Sequence, residues 1–121
     1  MDTLDPTAGS GPAGTDLPAL ARQQSEKAAQ ASSGRASVTA YGGSGHHLRQ
    51  TVVALAAGRS LADHENPGEA TLQVLLGRVR LTSPSSTQKG GPGELLVIPQ
   101  ERHGLEALED AAVLLTVART G

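Results

Sequence analysis

The chain has 121 residues, of which 37% are apolar and 18% charged, and a net charge of −2; this describes one ordinary domain. It has no cysteine, which excludes disulfides, thiol catalysis and zinc-ribbon sites. Tyr41 is its one aromatic residue, and with no basic field either, bases and phosphates find no platform, so nucleic acid is excluded as a partner.

Residues 1–15 carry almost no apolar side chains and are expected to be a disordered tail. This acidic, Pro/Gly-rich start has no charged-then-apolar leader. The longest apolar run, Val52 to Ala57, is too short to span a bilayer. A cytoplasmic protein with no membrane partner is the expectation. Asp16 is placed to cap a helix beginning near Pro18, a residue suited to a first turn. That helix ends before Gly34, which gives a helical segment over 16–34. Its apolar stripe of Leu17, Leu20, Ala21, Ala28 and Ala31 is thin, as for a surface helix lying on the main domain or on a partner subunit.

From Ala36 the pattern changes to period two with frequent turn signals. Strands are expected at 36–41, 48–57, 60–66, 70–76, 78–82, 86–89, 94–98, 102–108 and 111–119. Short strands, Gly/Pro turns and no helix among them predict an all-β fold over 35–121, an antiparallel barrel or jelly roll. The core is built from Leu, Val, Ile and Ala, which bury less area each than aromatics. Several strands are apolar on both faces, among them Thr51 to Ala57, Leu95 to Ile98 and Val113 to Val117. A barrel interior uses only one face of each strand, so the other needs cover. The N-terminal helix or a second subunit supplies it, and a homodimer is the expected assembly.

Alternation also predicts which side chains face inward. Asp63 and Glu65 face water, leaving Ala62, His64 and Asn66 inside. Arg102 and Glu106 face out, so His103, Leu105 and Ala107 face in. Thr71 and Gln73 take the outer face, with Ala70, Leu72, Val74 and Leu76 inside. Arg78 and Arg80 alternate outward against Val79 and Leu81.

Two stretches carry more than a pattern. One runs Gly58-Arg-Ser-Leu-Ala-Asp-His64-Glu-Asn66-Pro-Gly-Glu69-Ala70 and closes at Gly77; the other is Gly93-Glu-Leu-Leu-Val-Ile-Pro99-Gln-Glu-Arg-His103. Together they resemble the paired signatures of the cupin family, the RmlC-like jelly-roll barrels, over residues 48 to 119. The resemblance implies a small single-domain barrel whose histidines usually hold a catalytic metal. Here the pattern is degenerate. Asn66 occupies the second-histidine position, Ala70 the glutamate position, Glu101 replaces a glycine, and His103 arrives one residue early. The resemblance thus implies an interior site of His64, Asn66 and His103 without a carboxylate. Two neutral imidazoles and an amide hold a transition metal weakly, because its charge is left uncompensated. Glu69 supplies the missing carboxylate only if a bulge after Pro67-Gly68 turns it inward.

The leading expectation is a non-catalytic cupin that binds a small polar ligand, or weakly a divalent metal, through His64, Asn66 and His103, in a sensory or regulatory setting; no catalytic residue is assigned. The alternative is a metal-dependent dioxygenase or isomerase, with Fe, Mn, Ni or Zn held by His64, Glu69 and His103. A third reading, a dimerisation module, makes both histidines ordinary pocket residues. His46 and His47 beside Gly42-Gly-Ser-Gly45 read as a mobile loop, since no following helix or Lys makes a phosphate loop. The polar stretch Ser83 to Gly93 reads as a tolerated insertion or a shield over the pocket mouth.

Overall fold

The computed structural model describes residues 14–64 and 68–119, without the side chains of 62–64. Residues 1–13 of the expected tail over 1–15, and Asn66, lie outside the described residues. The chain runs α1 (Leu17–Gln30), β1 (Arg35–Gly42), β2 (Leu48–Leu55), β3 (Ser60–His64), β4 (Gly68–Leu76), β5 (Val79–Ser83), β6 (Ser86–Gly90), β7 (Leu95–Ile98), β8 (His103–Ala107) and β9 (Ala111–Arg119). Every expected strand forms. The stretch Ser83 to Gly93 is an ordered hairpin arm followed by a turn, not a loose insertion.

The strands make two antiparallel sheets, one of five in the order β1-β2-β9-β4-β7 and one of four in the order β3-β8-β5-β6. The inner faces enclose one aliphatic core, in which Leu72, Val74, Val79 and Leu81 are fully buried. Alternation explains it: the burial pattern of β5 and β8 switches at every residue. Arg80 and Glu106, register partners on the outer side, pair at 2.9 Å; both are over a third exposed, where such a pair contributes little.

Helix α1 lies on the outer face of the larger sheet, against β1, β2, β4 and β9. Its first turn is capped by Asp16, whose Oδ1 accepts from Ala19 N–H at 3.0 Å. Its buried residues Ala21, Gln24 and Ala28 repeat at helical spacing, and the two alanines meet Ala54 and Ala112 of the sheet. Small side chains on both sides let the helix approach closely. One inward expectation fails here. The β4–β9 register shifts between Val74 and Leu76, so Leu76 turns out of the barrel and packs with Leu75 against the helix layer. No helix among the described residues is long and apolar enough to cross a membrane.

Candidate functional site

One end of the barrel gathers the residues of interest. Gly68, Arg119 and Leu48 end their strands together in the larger sheet. In the smaller sheet β3 and β8 meet with His64 opposite His103. The backbone thus places the two histidine positions side by side at this mouth. The hairpin after β5 reaches the same end, where the Ser85 hydroxyl donates to the Glu101 carboxylate. The polar stretch therefore braces the segment leading into His103.

His103 is 3% exposed and points inward. Its Nδ1 lies 3.0 Å from the Glu101 carbonyl. A carbonyl only accepts, so Nδ1 carries the hydrogen, and this fixes the ring's orientation. The ring borders a cavity of about 20 Å³ lined by Leu72, Leu81, Leu105, Val113 and Leu115, enough for one water and no more. The aliphatic barrel is closed down around the histidine.

Room lies beside this cavity. The larger sheet has one strand more than the smaller, and β1, at its edge, packs chiefly on β2 and α1. Ser37 pairs with Val53, and Thr39 with Thr51; directly paired residues share a face, and Val53 lines the His103 cavity. Ser37 and Thr39 are therefore on the concave side, yet both are exposed. A groove of about 390 Å³ lies there, lined by Ser33, Arg35, Ser37, Val53 and Leu61. It shares Val53 and Leu61 with the histidine cavity. The larger cleft, about 530 Å³ and lined by Glu69, Thr71, Val97, Thr116 and Ala118, lies outside the barrel, on the face opposite His103.

Glu69, the carboxylate of the alternative reading, borders that outer cleft. The β4–β9 register is continuous from Gly68 to Val74, with Glu69 opposite Ala118, so no bulge turns it. Glu69 is exposed on the outer face while Ala70 is buried inside. Among the described residues no three His, Asp or Glu side chains converge where a metal ion would be held. The described donors do not fit a two-histidine, one-carboxylate centre. Ser37, Thr39 and Thr51 were not singled out from the sequence. Their signal is polar residues in phase with the inward Val53, on strands otherwise rich in aliphatics.

Two antiparallel sheets of five and four strands, closed on one apolar interior and open at one end, define a double-sheet jelly-roll barrel. The fold is that of the small cupins. A conserved protein of unknown function from Streptococcus pyogenes is similar at 28% identity and TM-score 0.65, over 72% of this chain and 75% of that one. A cupin superfamily protein from Desulfitobacterium hafniense is similar at 16% identity and TM-score 0.65, over 71% and 78%. An RmlC-like cupin from Desulfovibrio desulfuricans gives 24% identity and TM-score 0.60, over 69% and 81%. No protein-family profile and no curated protein sequence matches the chain.

Proposed function

We propose that this chain is a non-catalytic cupin-fold module that binds a small polar organic molecule. The ligand lies in the groove between β1–β2 and β3, with the His103 imidazole as polar anchor and the Ser37, Thr39 and Thr51 hydroxyls along its side. The observation that carries this reading is the orientation of the donors. His103 is buried and lines a small cavity that shares Val53 and Leu61 with the groove, whereas Glu69, the carboxylate the sequence offered, faces outward. Apolar walls with a few convergent polar groups suit small-molecule binding and leave a metal without charge compensation. His64, opposite His103 in the β3–β8 register, and Asn66 stay in the proposed ligand set.

The fold itself does not choose between binding and catalysis. A Vibrio cholerae HTH_3-family transcriptional regulator shares it at 17% identity and TM-score 0.61, and a salicylate 1,2-dioxygenase from Pseudoaminobacter salicylatoxidans at 22% and 0.60. A site that binds without turning over suits a sensory or regulatory role, which belongs to the same proposal. So does a homodimer. Leu95 and Val97 are 63% and 64% exposed on the outer face of edge strand β7, Val97 at the outer cleft, and a second copy covers them.

Purified full-length protein should release a co-purifying organic molecule on denaturation, detected by mass spectrometry. Chelator treatment should leave both ligand retention and melting temperature unchanged. Stoichiometric transition metal whose removal destabilises the fold would overturn the proposal.

A further inference from the structure

At the barrel mouth the concave face of the larger sheet changes character. Arg49 stands opposite Val117 in the unbroken β2–β9 register, so its diagonal neighbour two residues on is Arg119. Such neighbours share a face and lie about 7–8 Å apart. Both are in phase with inward residues, Arg49 with Thr51 and Val53, Arg119 with Val117 and Leu115. The residue opposite Arg49 on β1 is Gly42, and opposite Arg119 on β4 is Gly68. Neither glycine can be replaced by a larger residue. A Cβ on Gly42 would meet Leu48 O at 1.8 Å, and one on Gly68 would meet Ala118 O at 2.1 Å. Across four strands the row thus reads glycine, arginine, arginine, glycine, so at these register positions the flanking strands β1 and β4 place no side chain beside the two cations.

A cavity of about 390 Å³ opens there, lined by Arg49, Arg119, Gly43 and Ser44. Neither arginine has an ion pair among the described residues, where Arg80–Glu106 is the one such pair. Glu69 is on the opposite face of the sheet, and Glu101 is engaged by Ser85. The β1–β2 turn is held beside the arginines: Gly43 N–H donates to Leu48 O at 3.1 Å, His46 N–H to Gly43 O at 2.9 Å, and Arg119 N–H to His47 O at 2.8 Å. Two arginines on neighbouring strands thus line one cavity with a glycine-rich turn held by backbone hydrogen bonds. Guanidinium forks match planar or tetrahedral oxygens in pairs of hydrogen bonds.

We propose that Arg49 and Arg119, with the Gly43–Ser44 turn, form an oxyanion subsite at the barrel mouth that takes the carboxylate or phosphate group of a small organic ligand. This deepens the binding reading above and rests on it for the rest of the ligand. It assigns that ligand an acidic class, with its anionic end at the mouth and its body along the Thr39–Thr51 trough toward His103.

The test titrates full-length, isotope-labelled protein separately with inorganic phosphate and with acetate, followed by NMR, with chloride at matched ionic strength as the control. The expected result is saturable shifts at the Gly43 and Ser44 amides and the Arg49 and Arg119 Nε signals. In the Arg49→Gln/Arg119→Gln variant the affinity should fall by about tenfold or more, because both charged donors are removed. Saturation by phosphate identifies a phosphoryl ligand, and saturation by acetate a carboxylate. Shifts equalled by chloride, or saturation surviving the double substitution, would overturn the subsite. The His103→Asn variant separates the two readings. It should keep its phosphate or acetate affinity, since the imidazole lies outside the subsite, while losing the co-purifying molecule. A His103→Asn protein that retains that molecule fails the groove reading, whatever the arginines do.

Discussion

The proposed function gives His103 two jobs, one structural and one toward the ligand, that substitution separates. In His103→Ala the Nδ1–H bond to the Glu101 carbonyl is lost, a net loss of about 1 kcal/mol. Glu101 is only partly buried, so water reaches its carbonyl and no larger penalty follows. The ring is also buried, lining a small cavity with Leu72, Leu81 and Leu105, and losing that buried area costs about 1–2 kcal/mol more. The sum, about 2–3 kcal/mol, corresponds to a fall in melting temperature on the order of 10–20 °C for a domain of this size. His103→Asn is the informative partner. The asparagine amide nitrogen sits near the Nδ1 position, so it still donates to Glu101, and destabilisation should be about 1 kcal/mol. What it cannot reproduce is the Nε2 edge. Thermal unfolding with ligand retention, followed by mass spectrometry, therefore gives a crossed result: Ala loses stability and ligand, Asn loses ligand alone. If Asn and Ala destabilise equally, the Glu101 bond does not hold the ring. If Asn retains the ligand fully, His103 is a structural residue and the groove reading is refuted.

Three further outcomes follow from the same packing. Glu69→Ala is a surface change and should alter stability by no more than about 0.5 kcal/mol, with metal content and ligand retention unchanged; loss of a bound metal in that variant would show the carboxylate reaching the interior. Ala28→Leu drives three extra carbons into the alanine contact between α1 and the sheet, where Ala28, Ala54 and Ala112 are each at most 1% exposed. Overpacking there should cost about 1–3 kcal/mol, and an unchanged midpoint in urea denaturation would mean that the helix does not dock. Leu95→Glu with Val97→Glu should convert a sedimenting dimer to a monomer without changing the melting temperature of the isolated subunit; a wild-type chain that is monomeric at every concentration removes the dimer from the proposal.

How far the sequence revealed this molecule follows from what period two can encode. The nine strands were legible because polar and apolar residues alternate along β4, β5 and β8 in phase with burial. The same reading placed His103, Leu105 and Ala107 inside, where they are buried. It failed at single-residue events. Leu76 leaves the barrel because the register slips after Val74, and Glu69 stays outside because no slip precedes it. Neither residue's own chemistry decides the matter; a backbone step made against β9 does.

The arginines at the mouth escaped notice for a different reason. Sequence reading equates facing inward with being dry, and so assigns charged residues to the outer face. That equivalence holds only where one sheet covers the other. The larger sheet has one strand more than the smaller, so the concave side of β1 and the mouth ends of β2 and β9 are inward in direction but open to water. Ser37, Thr39, Arg49 and Arg119 occupy that uncovered strip and are all exposed. An aliphatic interior closed to about 20 Å³ leaves a ligand nowhere else to lie against His103. The polar strip is the one concave surface, among the described residues, that meets both the histidine cavity and the paired cations. Under the proposed function, the mismatch between the two sheets is thus what gives a collapsed barrel its groove for a ligand.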